Sequence, residues 1–228
     1  MSTIADNIER VGSRIRAAAL AAHRDENSVQ LLAVSKTKPA QALREAYAAG
    51  LRDFGENYLQ EALGKQAELT DLPLIWHFIG PIQSNKTRAI AEHFAWVHSV
   101  DRLKIAQGLS EQRPADLPPL NICIQVNVSG EASKSGCTPE DLPALANAIS
   151  ALPRLKLRGL MAIPEPTEDR AAQDAAFAAV QSLQASLNLP LDTLSMGMSH
   201  DLESAIAQGA TWVRVGTALF GARDYGQP

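Results

Sequence analysis

Cysteine is nearly missing. Cys123 and Cys137 are the only two in 228 residues, 14 positions apart, with no C-x-x-C pair and no histidine at metal-ligand spacing. That leaves a disulfide framework or a zinc site with little support, and both cysteines read as small buried hydrophobes. Long apolar runs are missing too: no stretch reaches the roughly 18 residues of a membrane span. The N-terminus interleaves Asp6 and Glu9 with Arg10, Arg14 and Arg16, where an export signal would need a basic start, an apolar core and a cleavage site. A cytoplasmic protein with no membrane partner is expected. Blocks of Lys/Arg are lacking as well, and 21 basic against 25 acidic residues give a net charge of -4, with no positive field to hold nucleic acid. The expected partner is a small molecule. There is no internal repeat, low-complexity tract or long linker, and the Pro-rich pieces "RPADLPPL" and "PEPTEDR" read as loops. With 46% apolar and 20% charged residues, one domain over 1–228 with a proper core is expected.

Two patterns alternate along the chain. Ile4, Ile8, Val11 and Ile15 recur at helical spacing, predicting an amphipathic helix within 3–24. Eight short apolar or β-branched runs follow: "LLAVSK" (31–36), "RDFGEN" (52–57), "LIWHFIG" (74–80), "AWVHSVD" (95–101), "LNICIQVNV" (120–128), "LRGLMAI" (157–163), "TLSMGMS" (193–199) and "TWVRVGTALFG" (211–221). Ala/Leu-rich helical stretches separate them, with recognisable ends: Pro39 and Gly50 around one, Thr138-Pro139-Glu140-Asp141 before another, and Ser199-His200-Asp201 opening a third that runs to Gly209. Eight βα units in about 200 residues predict a closed (β/α)8 barrel with an extra N-terminal helix. A doubly wound sheet would use fewer strands and a glycine-rich first turn, and "SKTKPA" has no glycine.

A barrel places chemistry at the carboxyl ends of its strands, with alternate residues facing the lumen. Cys123, Gln125 and Asn127 share one face of the fifth strand, Leu32, Val34 and Lys36 one face of the first, Ile75, His77 and Ile79 one face of the third, and Trp212, Arg214 and Gly216 one face of the eighth. Two readings of Lys36 stay open. It leaves the mouth for solvent, as its neighbour Lys38 is expected to do, or it stays inside, where desolvation yields a neutral amine able to form a Schiff base with an aldehyde. Arg214 keeps its charge and needs an acceptor: a lumen carboxylate, with Glu56 or Asp101 at hand, or an anionic ligand. Gly216 and Thr217 follow it immediately, and with Ser199 they offer N–H groups and hydroxyls to a phosphate after strands 7 and 8. Closure of strand 8 on strand 1 would bring Lys36 and Arg214 to one pocket.

The segments "AVSKTKP", "FGENYLQEA", "WHFIGPIQSNK", "VHSVD" and "SMGMSHDLESAIAQGATWVRVGTALFG" occur in order from about residue 31 to 223. In these the chain resembles the pyridoxal 5'-phosphate homeostasis protein family, apart from Ile82 where leucine is expected. The resemblance implies a barrel like the alanine racemase N-terminal domain that holds pyridoxal 5'-phosphate (PLP) as a Schiff base on Lys36. By the same comparison Ser199, Gly216 and Thr217 take the phosphate, Arg214 faces the pyridine nitrogen, and Asn57 lines the site. The implied function is PLP (vitamin B6) homeostasis without strong catalysis, with PLP-requiring apo-enzymes as partners and a monomer or weak dimer as the assembly. The alternative is an alanine-racemase-like amino-acid racemase, which needs a second base that similar enzymes take from a further domain, and none is expected here. A phosphosugar aldolase or isomerase leaves Arg214 unexplained. Tyr47 and Tyr225 read as packing or surface residues, and Tyr58 as an aromatic packed at a helix start. His77, on a lumen face, has two readings, an acid or base and the commoner hydrogen-bonded core histidine, while His23, His93, His98 and His200 receive no role.

Overall fold

The computed structural model describes residues 1–132 and 134–222. Its first element, α1 (Ile4–Ala21), begins with a reciprocal cap in which Thr3 and Asp6 each accept from the other's backbone N–H. Eight strands follow: β1 (Gln30–Val34), β2 (Asp53–Glu56), β3 (Ile75–Phe78), β4 (Trp96–Val100), β5 (Leu120–Gln125), β6 (Leu155–Met161), β7 (Thr193–Ser195) and β8 (Trp212–Val215). The helices between and after them are α2 (Ala40–Ala48), α3 (Leu59–Glu68), α4 (Thr87–His93), α5 (Leu103–Gln112), α6 (Leu142–Ser150), α7 (Arg170–Ser186), α8 (Leu202–Ala207) and α9 (Thr217–Phe220). All neighbouring strands pair in parallel, and β8 closes on β1 with Leu32 opposite Arg214. This is the (β/α)8 barrel that the alternation predicts.

All eight strands stop one to six residues short of the ends of the apolar runs, because their carboxyl ends turn into loops. "SMGMS" leaves the sheet after Ser195, and "VNV" after Gln125. Asp141 caps α6, so Thr138-Pro139-Glu140 form the preceding turn, and Asp201 caps α8, which starts three residues beyond Ser199. Ser199 therefore belongs to the β7–α8 loop and not to a helix N-terminus.

Outward-facing residues such as Ala33, Phe54, Val97, Ile122 and Val213 form the main core against the helices. Burying an aliphatic or aromatic side chain of this kind is worth about 1.5–3 kcal/mol. A second, smaller cluster fills the lumen: Leu32, Ile79, Trp96, Cys123, Met161 and Trp212. Both cysteines are free and buried, which lifts their thiols to about 12 and about 11 and leaves them inert. Close packing reaches the backbone at Gly159, opposite Thr193 in the β6–β7 pairing, where any Cβ would overlap the Thr193 carbonyl. Among the described residues no helix is long and apolar enough to cross a membrane.

Two imidazoles sit inside this lumen, His77 stacked on Trp96 with ring centroids 5.5 Å apart, and His98 beside them. Both are fully buried, and desolvation holds each below the ordinary value of 6.5. Asp53 opposes the shift at His77, while His77 and Arg214 reinforce it at His98. The unfolded chain therefore takes up protons near pH 6.5 that the folded lumen refuses, so stability present above that pH is lost as pH falls. Urea unfolding at about pH 7.5 and about pH 5.5 is expected to show lower stability in acid, by up to roughly 1.4 kcal/mol per histidine per pH unit. Equal or greater stability at the lower pH would contradict neutral lumen histidines.

Candidate functional site

After β1 the chain runs Ser35-Lys36-Thr37-Lys38 across the barrel mouth, with Thr37 at φ +65°, a costly conformation for a β-branched residue. A buried cluster from β2 and α3 holds it there. Lys65 Nζ donates to the Ser35 carbonyl at 2.7 Å and pairs with Glu56 Oε1 and Glu61 Oε1 at 2.6 Å each. Ser35 Oγ donates to Glu56 at 3.0 Å, and the Thr37 N–H donates to Glu61 at 2.5 Å. Lys65 and Glu56 are 5% and 0% exposed. Burial raises the Glu56 pKa and the Lys65 charge opposes that shift, the usual balance for a buried ion pair whose value is geometric. Its effect is a fixed turn that presents half-buried Lys36 to the mouth.

The opposite wall comes from the ends of β7 and β8. Gly197, at φ +98° with Ala205 Cβ 2.6 Å from where a side chain would begin, lets the β7 loop fold tightly over α8, and its carbonyl accepts the Arg214 N–H at 2.9 Å. The extra helix braces this wall. Arg14 binds Glu203 at 2.8 and 3.0 Å and the Ser199 carbonyl at 2.9 Å, while Asn7 Nδ2 donates to the Leu219 carbonyl at 2.9 Å.

Between the two walls lies a cavity of about 420 Å³ lined by Lys36, Lys38, Ser199, Arg214, Gly216 and Thr217, with Val34 and Met198 as apolar surface. Five of the six residues expected to bind a ligand thus meet in one place. Asn57, the sixth, follows β2 outside this lining, and its buried Oδ1 has no hydrogen-bond partner among the described residues.

Arg214 is 4% exposed, and burial pulls its guanidinium down to about 10, still charged at neutral pH. Among the described residues no carboxylate is hydrogen-bonded to it, although the Asp201 charge acts on it from the β7–α8 loop. Glu56 points out of the lumen to Lys65, and Asp101 pairs with Arg102. The lumen-carboxylate pairing therefore fails for these two acids, and Arg214 donates to Ser195 Oγ at 2.8 Å and the Ala162 carbonyl at 3.0 Å. Behind Ser195 the bonding continues to His98 Nδ1 at 2.8 Å, from His98 Nε2 to His77 Nδ1 at 2.9 Å, and from His77 Nε2 to Asp53 Oδ1 at 2.8 Å.

His77 is the core histidine expected. His98 is a correction: it shares the lumen parity of Trp96, the same alternation that singled out His77, and ligand spacing alone overlooks it. Lys38 is another, since it lines the cavity and donates to the Ala222 carbonyl at 2.7 Å instead of leaving for solvent. Exposed His200 also reaches the lining. Tyr47 lies under the Arg52 guanidinium on α2, Tyr58 is 52% exposed ahead of α3, and neither lines the cavity. Tyr225 falls outside the described residues.

Comparison with known proteins gives the family and the fold. The family model for the alanine racemase N-terminal domain matches residues 3–224. The pyridoxal phosphate homeostasis protein of Pseudomonas aeruginosa is 79% identical over 228 residues, covering 100% of this chain and 99% of that protein. Its namesake in Escherichia coli K12 is 54% identical over 231 residues, covering 99% of each. The structure of PipY from Synechococcus elongatus with PLP bound superposes with a TM-score of 0.81 at 47% identity, over 90% of this chain and 98% of that one. Alanine racemase from Corynebacterium glutamicum, at 17% identity and a TM-score of 0.67, covers 97% of this chain and 63% of its own and shares the fold. The chain belongs to the alanine racemase N-terminal domain family and, within it, to the pyridoxal phosphate homeostasis proteins.

Proposed function

We propose that this protein binds pyridoxal 5'-phosphate and serves PLP (vitamin B6) homeostasis, with Lys36 holding the cofactor as a Schiff base. The observation that carries the reading is the single cavity in which Lys36, Arg214 and the Gly216–Thr217 turn face one another. The donor set suits this ligand. A primary amine on a rigid turn matches an aldehyde, a permanent cation matches a ring acceptor, and hydroxyls with the unbonded first N–H groups of a helix match a phosphate dianion. When bound, the cofactor supplies the carbonyl carbon and an electron-withdrawing ring.

The chain's own residues then divide the work. Ser199, Gly216 and Thr217 grip the phosphate from the β7 and β8 ends. Arg214 would meet the pyridine nitrogen and, because two cations repel at contact distance, would keep it unprotonated, which would weaken the ring as an electron sink. Asn57 lines the site from the β2 end, its buried Oδ1 offering an acceptor that lacks a protein partner. The Glu56–Lys65–Glu61 cluster fixes the backbone on either side of Lys36, which sets where its side chain starts. A weakened electron sink and a lining with no tyrosine among the described residues both favour holding the cofactor over strong amino-acid chemistry, with PLP-requiring apo-enzymes as the recipients. We place the protein in the cytoplasm, where its inert thiols stay reduced, as one domain acting as a monomer or weak dimer.

Lys36→Ala is expected to abolish the near-visible absorption band of the bound cofactor, and a covalent adduct persisting in that variant would refute the assignment. Thr217→Val is expected to weaken PLP retention by roughly 1–3 kcal/mol, the penalty for an unpaired polar site, and equal affinity in equilibrium dialysis would count against the phosphate reading. Incubation with L-alanine should yield no D-isomer. Turnover above about 1 per second, inside the ordinary enzyme range, would overturn the holding role in favour of a racemase.

A further inference from the structure

The bonds behind Arg214 carry a direction that the side-chain chemistry fixes. A guanidinium only donates, so Ser195 Oγ accepts from Arg214 at 2.8 Å and has one proton left to give. Its other partner is His98 Nδ1 at 2.8 Å, which accepts it. Neutral His98 then carries its proton on Nε2 and donates to His77 Nδ1 at 2.9 Å. By the same logic His77 carries its proton on Nε2 and donates to Asp53 Oδ1 at 2.8 Å, and an ionised carboxylate only accepts. Four hydrogen bonds thus point one way, from the cation to the anion, and every ring nitrogen is used.

The reverse order does not close. It would set a lone pair of neutral His77 against the Asp53 carboxylate, or require a charged imidazole at a site with 0% exposure. The chain also spans the barrel. Asp53 is the first residue of β2, at the base, with its side chain 23% exposed, and Arg214 stands near the end of β8, at the mouth. His77, His98 and Ser195 between them are sealed from water, where polarised hydrogen bonds reinforce one another.

We propose that Asp53, His77, His98 and Ser195 form a one-way hydrogen-bond relay through the lumen that positions the Arg214 guanidinium from the base of the barrel. The four are positioning residues that touch no ligand. Their part in cofactor binding rests on the reading of Arg214 given above. The base carboxylate, transmitted through two neutral rings, fixes both the orientation of the guanidinium and how much positive charge it presents to the ring it faces.

Two measurements test this. In the purified wild-type protein without added cofactor, ¹⁵N NMR of labelled histidine should show the His77 and His98 rings as neutral Nε2–H tautomers, and an Nδ1–H tautomer at either ring would overturn the relay. Asp53→Asn keeps an acceptor for His77 and removes the charge. Loaded with PLP, this variant should show a shifted visible absorption maximum and retain the cofactor about fivefold less well, the low end of coupling between linked sites. A spectrum and retention identical to wild type would overturn the positioning role, and if the variant does not fold the wild-type tautomers decide. Should the wild-type protein take up no PLP, the proposed function fails, and the tautomers still judge the relay.

Discussion

Everything at this site depends on barrel closure. Parallel strands turn every second side chain inward, and the pairing of β8 with β1 sets Arg214 opposite Leu32, two turns of the pleat below Lys36. A lysine and an arginine 178 positions apart in sequence (214 minus 36) become two walls of one cavity. In the function we propose, a phosphorylated aldehyde would meet both walls, its carbonyl carbon at Lys36 and its phosphate at the Gly216–Thr217 turn.

Two polar networks support the cavity from opposite sides, and they differ in kind. The Glu56–Lys65–Glu61 cluster sits outside the sheet and acts on the backbone, holding the Ser35–Lys38 turn in a conformation that Thr37 would not choose by itself. The Asp53–His77–His98–Ser195 chain runs inside the lumen and acts on a side chain, satisfying a buried cation that no described carboxylate hydrogen-bonds. Neither network is needed for a barrel as such, since apolar packing would close the sheet equally well. Their common feature is that each serves a cavity-lining residue, the first by fixing the backbone on either side of Lys36 and the second by ending at Arg214. The extra helix α1 contributes in the same sense, tying Arg14 and Asn7 to the β7 and β8 loops.

The architecture was legible because hydrophobic runs and capped helices alternate eight times, and period-two alternation correctly turned Leu32, His77, Cys123, Trp212 and Arg214 to the lumen. What the pattern could not reach was partnership across strands. Whether Glu56 looks in or out depends on parity within a four-residue strand, and its true partner, Lys65, lies on a helix face that reads as ordinary surface. Ser195 and His98 are 97 positions apart and meet only through the lumen. Loop conformations were equally hidden: Ser199 was expected at a helix start, yet Asp201 takes the cap and leaves it in the preceding loop.

The central claim is that the amine of Lys36 lies within bonding distance of the cofactor's carbonyl carbon. Reduction of the PLP-loaded protein with borohydride, followed by proteolysis and mass spectrometry, tests it most directly. The account predicts one pyridoxyl-phosphate adduct, on the peptide containing Lys36. An adduct on Lys38 or Lys65 in its place, or no adduct on protein that retains PLP, would contradict it.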